Sequence, residues 1–227
     1  MSNNLYATYF KRLFDFAASL LGVLVLSPLL IIITIVLWID FKGSPFFLQE
    51  RPGKDEKIFK IIKFKTMKDP KNNESELINQ AQRITKIGTF VRKASLDELL
   101  QLVNVIKGDM SLVGPRPLVI QYLPYYNETE QKRHLVKPGI TGLAQVMGRN
   151  SLAWEERFLL DVEYVENLSL ALDVKILYKT VLKMLSKSDV VIDQDEHLDI
   201  FDVYRRKQWE ADKALKSPKM EHNHPKV

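Results

Sequence analysis

The stretch Phe16–Ile39, FAASLLGVLVLSPLLIIITIVLWI, decides how the rest of the chain is arranged. It runs for 24 residues without a charge, and a helix needs about 20 apolar residues to cross the hydrocarbon core. The run is too long for a cleaved secretory leader, and no small-x-small cleavage site follows it. Ser27-Pro28 sits at its middle. Proline there removes one helix hydrogen bond and leaves the Leu24 carbonyl unpaired in lipid, which is costly. A Ser27 hydroxyl bonded back to the preceding turn would stabilise a bend. Lys11 and Arg12 precede the run while Lys42 and Arg51 follow it, so a full crossing would export one basic flank. Two arrangements stay open: a Pro-kinked span, and a helix that enters, breaks at Ser27-Pro28 and returns to the same face.

At 227 residues the chain has room for one domain with a sizeable core beside the apolar segment. Its 33 Lys and Arg against 28 Asp and Glu make it mildly basic, which favours anionic surfaces and phosphorylated ligands. There is no cysteine, which removes disulfides, thiol nucleophiles and thiolate metal sites. His134, His197, His222 and His224 lack the i,i+4 pairing of a zinc protease. Redox and zinc chemistry are set aside.

After Gly43-Ser44-Pro45 the pattern turns globular. Phe46–Gln49 and Ile58–Thr66 read as short strands parted by a turn at Pro52-Gly53, and residues 69–76 (DPKNNESE) as a polar loop. A helix is expected over Ser95–Lys107, with Leu96, Leu99, Leu100, Val103 and Ile106 on one face, stopped by Gly108. Trp154, Phe158, Val162 and Val165 mark another helix. Val174, Leu177, Val181 and Met184 mark a further one, in which Lys175, Lys179, Lys183 and Lys187 recur every fourth residue. A basic row over an apolar stripe suits a helix lying in an anionic lipid interface. A core helix with a solvated lysine face is the equal alternative. From Arg205 onward the chain is polar and expected to be mobile.

The residues with most chemistry in them are Arg92-Lys93-Ala94-Ser95-Leu96-Asp97-Glu98-Leu99-Leu100-Gln101. Two adjacent carboxylates in the first turn of a helix, just after two cations, suit a phosphate. Asp97 there would stay ionised, as a nucleophile must, and Glu98 offers oxygen to magnesium. The plainer reading is a capping box, with Glu98 reaching back to the Ser95 N–H and Asp97 complementing the helix dipole. Gly114-Pro115-Arg116-Pro117 holds one guanidinium between two rigid residues, suited to bidentate phosphate binding or merely to a stiff turn. Lys63 and Lys65 share a strand face with Phe59 and Ile61. They read either as phosphate contacts or as charged residues that protect a sheet edge. Pro138-Gly139-Ile140-Thr141-Gly142 is a tight loop, but it carries no phosphate-loop signature.

Taken together these stretches resemble the bacterial sugar transferase family, the monotopic polyprenyl-phosphate glycosyl-1-phosphate transferases. The likeness runs from Lys11-Arg12-Leu13-Phe14-Asp15 through Ser27-Pro28, Gln49-Glu50-Arg51-Pro52-Gly53, Phe59-Lys60-Ile61 and Lys63-Phe64-Lys65-Thr66-Met67. It continues through Ser95-Leu96-Asp97-Glu98-Leu99, Asn104 to Ser111, Val113-Gly114-Pro115-Arg116-Pro117 and the Pro138 to Gly142 loop, ending near Lys187. Residues 118–126, LVIQYLPYY, and Gly148-Arg149-Asn150 look most like the small PglC-type members that start N-linked glycan assembly. Leu100 stands where many members carry proline.

The resemblance implies a helix-dominated α+β fold. Residues 1–43 would form a re-entrant membrane helix broken at Ser27 and Pro28, residues 44–204 a cytoplasmic catalytic domain with a small β-hairpin and interfacial amphipathic helices, and residues 205–227 a polar tail. It implies that Asp97 attacks the β-phosphate of a UDP-sugar, releases UMP and carries a phosphosugar that undecaprenyl phosphate then takes. The resemblance makes Glu98 the magnesium (Mg2+) partner, and matches Lys63, Arg92 and Arg116, with Arg149 and Asp173 as lesser candidates, to substrate-binding positions. The donor expected is a UDP-linked 2-acetamido sugar, with N,N′-diacetylbacillosamine foremost. The setting is the cytoplasmic face of the bacterial inner membrane. Membrane lipid and downstream glycosyltransferases are the further partners, and nucleic acid is not one.

Overall fold

In the computed structural model, which describes residues 6–69, 83–148, 152–185 and 200–216, the apolar run forms one continuous helix, α1 (Lys11–Phe41). A single π-helical turn, Tyr6–Phe10, leads into it. Two different stripes of α1 are buried. Lys11, Asp15 and Ser19, four residues apart and therefore stacked on one face, dock its first turns. Leu30, Ile33 and Leu37 dock its last turns against Phe64 and Val91. Most of the remaining surface is apolar and bare, with Leu21, Leu24, Val25, Ile31, Ile32 and Ile39 all exposed. A core helix of a water-soluble domain buries such residues. Pro28 lies inside α1, and the Ser27 hydroxyl donates to the Leu24 carbonyl at 2.8 Å, satisfying the acceptor that proline orphans.

Lys42 takes a left-handed conformation and ends α1. The chain then folds into an antiparallel hairpin, β1 (Phe46–Pro52) and β2 (Ile58–Phe64), registered from Phe46 opposite Phe64 to Pro52 opposite Ile58. Ile61 and Phe64 are its buried anchors. Lys65, expected beside Lys63 on the strand, lies just past its end and pairs with Asp69 at 2.6 Å. Most of the expected 69–76 loop lies outside the described residues. Helix α2 (Lys86–Lys93) begins at Thr85, whose side chain accepts from the Gly88 N–H.

The helix expected over Ser95–Lys107 is two pieces: a 3₁₀ turn, Leu96–Glu98, and then α3 (Gln101–Lys107). No capping box forms. Ser95 sits at φ 53°, in the left-handed region, and makes no side-chain cap. The fully covered face of α3 is Gln101, Asn104 and Val105, while the expected leucine and valine stripe is only half covered. Asn104 explains the rotation. Its carboxamide accepts from the Ile62 N–H at 3.0 Å and donates to the Lys60 carbonyl at 2.8 Å, pairing the edge of β2 as a further strand would. Gly108 closes α3 at φ +96°, as expected for a helix stop.

A second, parallel pair, β3 (Ser111–Val113) and β4 (Gly139–Thr141), lies beyond, separated by α4 (Glu128–Gln131) in the chain. Then come α5 (Leu143–Met147), α6 (Trp154–Glu166), α7 (Leu170–Leu185) and α8 (Phe201–Lys216). Helix α6 buries Trp154, Phe158 and Val162, as its spacing predicts. Helix α7 buries Asp173 and Ile176 and leaves Val174, Tyr178 and Val181 bare (52%, 63% and 54% exposed), so its apolar stripe is not core. Lys187 lies outside the described residues. Arg205, expected to open a mobile tail, instead lies inside α8 and is paired with Glu130 at 2.5 Å, while Phe201 is fully buried among Tyr126, Trp154 and Phe158. The architecture is thus α+β and dominated by helices, with one long apolar helix at its N-terminal side.

Candidate active site

The 3₁₀ turn, β2 and the Pro-flanked loop after β3 bring four of the sequence candidates together. Lys63 Nζ donates to Glu98 Oε1 at 2.8 Å. Arg116 grips the same carboxylate from the other side, with Nη2 to Oε1 at 2.7 Å and Nη1 to Oε2 at 3.3 Å. These charge-assisted bonds outweigh a bond back to the Ser95 backbone, which is why the capping box is absent. Asp97 lies in the field of Glu98, Lys63, Arg92 and Arg116.

The two carboxyls are driven apart electrically. Burial raises the Asp97 pKa and the neighbouring Glu98 charge raises it further, to about 6, despite Lys63, Arg92 and Arg116. Burial also pushes Glu98 upward, but Arg116 and Lys63 reverse this and hold it well below the usual carboxylate range. Two adjacent acids with opposite shifts are what a division of roles requires. At neutral pH Asp97 is mostly ionised, yet less strongly solvated than the helix-start reading predicts. Lys63 is lowered by burial, with Glu98 opposing.

Supporting contacts hold these groups in place. Arg92 donates from Nε to Thr66 Oγ1 at 2.9 Å, and from Nη2 to Met67 Sδ at 3.2 Å. Pro115 and Pro117 are buried while Arg116 between them is exposed, so the loop presents the guanidinium on a stiff mount. The Arg116 carbonyl accepts from Arg133 Nη2 at 2.7 Å, and Arg133 is itself buried against Asp161 at 2.8 Å. Gly114 lets the loop touch the β4 backbone: its N–H bonds the Thr141 carbonyl at 2.9 Å, and Gly139 N–H bonds Pro115 O at 3.0 Å. Sequence reading missed Arg133 and Asp161 because no spacing signal links residues 28 apart across different elements.

Two candidates stand elsewhere. Asp173 is buried and already bound by Lys11 Nζ at 2.5 Å, Tyr6 Oη at 2.6 Å and Tyr164 Oη at 2.8 Å. Its contacts tie α7 to the start of α1 and leave its carboxylate occupied. Arg149 lies outside the described residues. Ser27 and Pro28 belong to α1, away from the acidic pair in sequence and in hydrogen bonding.

Among the described residues no group of three or more acidic, histidine or cysteine side chains gathers as a protein-only metal cage. Magnesium does not need one, since it commonly uses one or two carboxylates and completes its shell with water and substrate phosphate. Glu98 Oε2 has only the 3.3 Å contact from Arg116, so the pair Asp97 and Glu98 fits that kind of site.

The chain is also similar to known proteins. Residues 6–187 match the model of a family described as bacterial sugar transferase. The uncharacterized sugar transferase EpsL of Bacillus subtilis is 51% identical over 176 residues, covering 77% of this chain and 87% of that protein. The UDP-galactose-lipid carrier transferase of Erwinia amylovora is 39% identical over 207 residues, covering 82% of this chain but 43% of that protein. A UDP-glucose:undecaprenyl-phosphate glucose-1-phosphate transferase of Klebsiella pneumoniae is 40% identical over 184 residues, covering 77% of this chain and 40% of that protein.

Proposed function

We propose, on the premise that this chain belongs to the bacterial sugar transferase family, that it is a polyprenyl-phosphate sugar-1-phosphate transferase. It takes the sugar phosphate from a UDP-sugar and gives it to undecaprenyl phosphate, releasing UMP. The observation that carries the reading is the opposed pair: Glu98 held charged by Lys63 and Arg116, with the Asp97 pKa beside it raised to about 6.

The chemistry that this geometry supports best is a double displacement. An Asp97 carboxylate oxygen attacks the β-phosphorus of the donor, the bond from that phosphorus to the bridging oxygen breaks, and its electron pair leaves with UMP. A phosphate oxygen of the polyprenyl phosphate then attacks the same phosphorus and expels the Asp97 carboxylate, leaving a polyprenyl-diphosphate sugar. Splitting one hard transfer into two easier ones is the usual gain of covalent catalysis. The transferred phosphoryl group carries its charge on the outer oxygens, so catalysis rests on fixed cations. Lys63, Arg92 and Arg116 are those cations here. Magnesium bound with Glu98 would neutralise further charge on the phosphates.

Lipid access suits the same reading. A helix with both basic flanks on one face, bent at Ser27-Pro28, would keep the site at the cytoplasmic side of the bacterial inner membrane. The Ser27 bond to Leu24 supports such a bend. The bare Val174, Tyr178 and Val181 face of α7 with its lysines suits the headgroup region. The donor is a 2-acetamido sugar, with N,N′-diacetylbacillosamine first. A second reading, a UDP-hexose, is favoured by relatives named for UDP-galactose and UDP-glucose.

The test uses the purified full chain and a panel of UDP-sugars, followed by UMP release and by trapping of labelled phosphosugar without acceptor. The expected result is one preferred donor and a trapped label that disappears in Asp97→Asn together with turnover. Turnover retained by Asp97→Asn excludes Asp97 as nucleophile, and turnover without any trapped label points to a one-step transfer.

A further inference from the structure

One half-buried cation beside Arg116 keeps a buried N–H that no acceptor meets. Arg51 lies near the end of β1, opposite Phe59, on the half-buried side of the strand with Gln49. Its Nη2 donates to the Gln49 Oε1 at 2.5 Å, a neutral partner, and its Nε is buried with no acceptor. A buried guanidinium N–H without a partner loses its hydration and gains nothing for it. The carboxylate that acts on it is Glu98, and both oxygens of Glu98 already accept from Lys63 or Arg116. The Arg51 pKa is lowered by burial and by the neighbouring Arg116. The fold thus holds a half-buried cation, with its Nε shut off from solvent, in the field of a second cation, an arrangement that an incoming anion relieves.

Position says which anion. Arg51 feels Arg116 and Glu98, with the hydroxyl-bearing rings of Tyr122 and Tyr126 as its other neighbours. Asp97 feels Lys63, Arg92, Arg116 and Glu98. Arg116 is therefore shared: its charge acts both on Asp97 and on Arg51. A diphosphate whose reacting phosphorus sits at Asp97 spans such a site with its second phosphate toward Arg51. We propose that Arg51 is a donor-binding residue that receives the non-transferred phosphate of the nucleotide diphosphate, the one that departs as UMP. Gln49 holds one arm of the guanidinium, and Nε is the donor that the phosphate oxygen completes. This rests on the sugar-phosphate transfer reading above.

The experiment compares full-length wild type, Arg51→Gln and Arg51→Lys for KM of the UDP-sugar, inhibition by UMP, and inhibition by uridine, which lacks the phosphate. A charge-assisted phosphate contact predicts that Arg51→Gln weakens UMP inhibition about ten- to hundredfold. Uridine inhibition stays unchanged, melting temperature without nucleotide does not fall, and Arg51→Lys is intermediate. Equal loss for UMP and uridine, or unchanged UMP inhibition in Arg51→Gln, overturns the inference. Should Arg51→Gln fail to fold, Arg51→Lys carries the comparison, because it keeps the charge and loses the fork. Failure of the underlying reaction is separable. It appears as no trapped phosphosugar in wild type, whereas failure of this inference leaves the wild-type adduct intact.

Discussion

Glu98 and Asp97 are sequence neighbours, yet their surroundings differ enough to reverse their acidities. Glu98 meets two cations at hydrogen-bond distance and stays charged far into acid. Asp97 is buried beside that permanent charge, and its pKa rises to about 6. A carboxylate must be ionised to attack phosphorus, so the free protein loses reactivity as pH falls through that value. The sign follows from the raised pKa: protonation removes the nucleophile on the acid side, and activity is full above it. We expect kcat/KM to fall about tenfold per unit below pH 6, measured as UMP release from pH 4.5 to 8. A profile flat down to pH 4.5 would mean that Asp97 is not the titrating group. Local pattern marked Lys63 and Arg116 as possible phosphate contacts, but not their joint hold on one carboxylate. Their shared grip on Glu98 spans 35 and 18 residues of chain, which no short window reveals. Arg51 escaped notice as a site residue for the same reason: its meaning lies in a missing partner, and only packing displays that.

At the level of elements, the loop that carries Arg116 is positioned by backbone touching backbone. A Cβ on Gly139 would meet Gly114 N at 2.1 Å and Gly114 O at 2.6 Å, and atoms of the main chain cannot step aside as a side chain can. Gly139→Ala is expected to push the β3–β4 pair apart, cost about 1–3 kcal/mol, and lower kcat through the displaced Arg116. Thermal unfolding and UMP release measured together check this. A variant with normal stability and turnover would show that the loop is not held from β4. The hairpin, the Gly108 stop and the buried stripe of α6 were all legible, because each depends on neighbours within a few residues. The helix expected from Ser95 was not. Its S-x-x-E pattern is the local signature of a cap, but Ser95 adopts a left-handed backbone and Glu98 answers to distant cations. Where a local rule and a long-range charge pair competed for the same carboxylate, the charge pair won.

For the whole molecule the issue is what the exposed side of α1 meets, and the proposed setting is lipid. Its bare leucines and isoleucines demand an apolar solvent, and its 31 residues extend about 46 Å if straight. That exceeds the roughly 30 Å hydrocarbon core, so length alone permits either crossing or a shallower, bent path. Cysteine substitutions at Tyr9 and at Ser44, near the two ends of α1, separate these. Shielding of both sites from an impermeant thiol reagent added outside intact cells is the expected result. Labelling of one end only would establish a crossing. The run and its central proline were plain from composition. Its mode of docking was not, because Lys11, Arg12 and Asp15 find partners 93 to 162 residues along the chain only after folding.

Those first turns have a practical meaning for handling the protein. Lys11 neutralises the buried Asp173, Arg12 covers the carbonyls of Val105 and Ile106 at 2.5 and 2.8 Å, and Asp15 takes the Ser111 hydroxyl and the Leu112 N–H. Deleting α1 to obtain a detergent-free fragment would strip all of these at once, stranding a carboxylate in the interior at a cost of about 3–5 kcal/mol. The apolar segment is a keystone of the globular part, not a tether, and preparations should retain it.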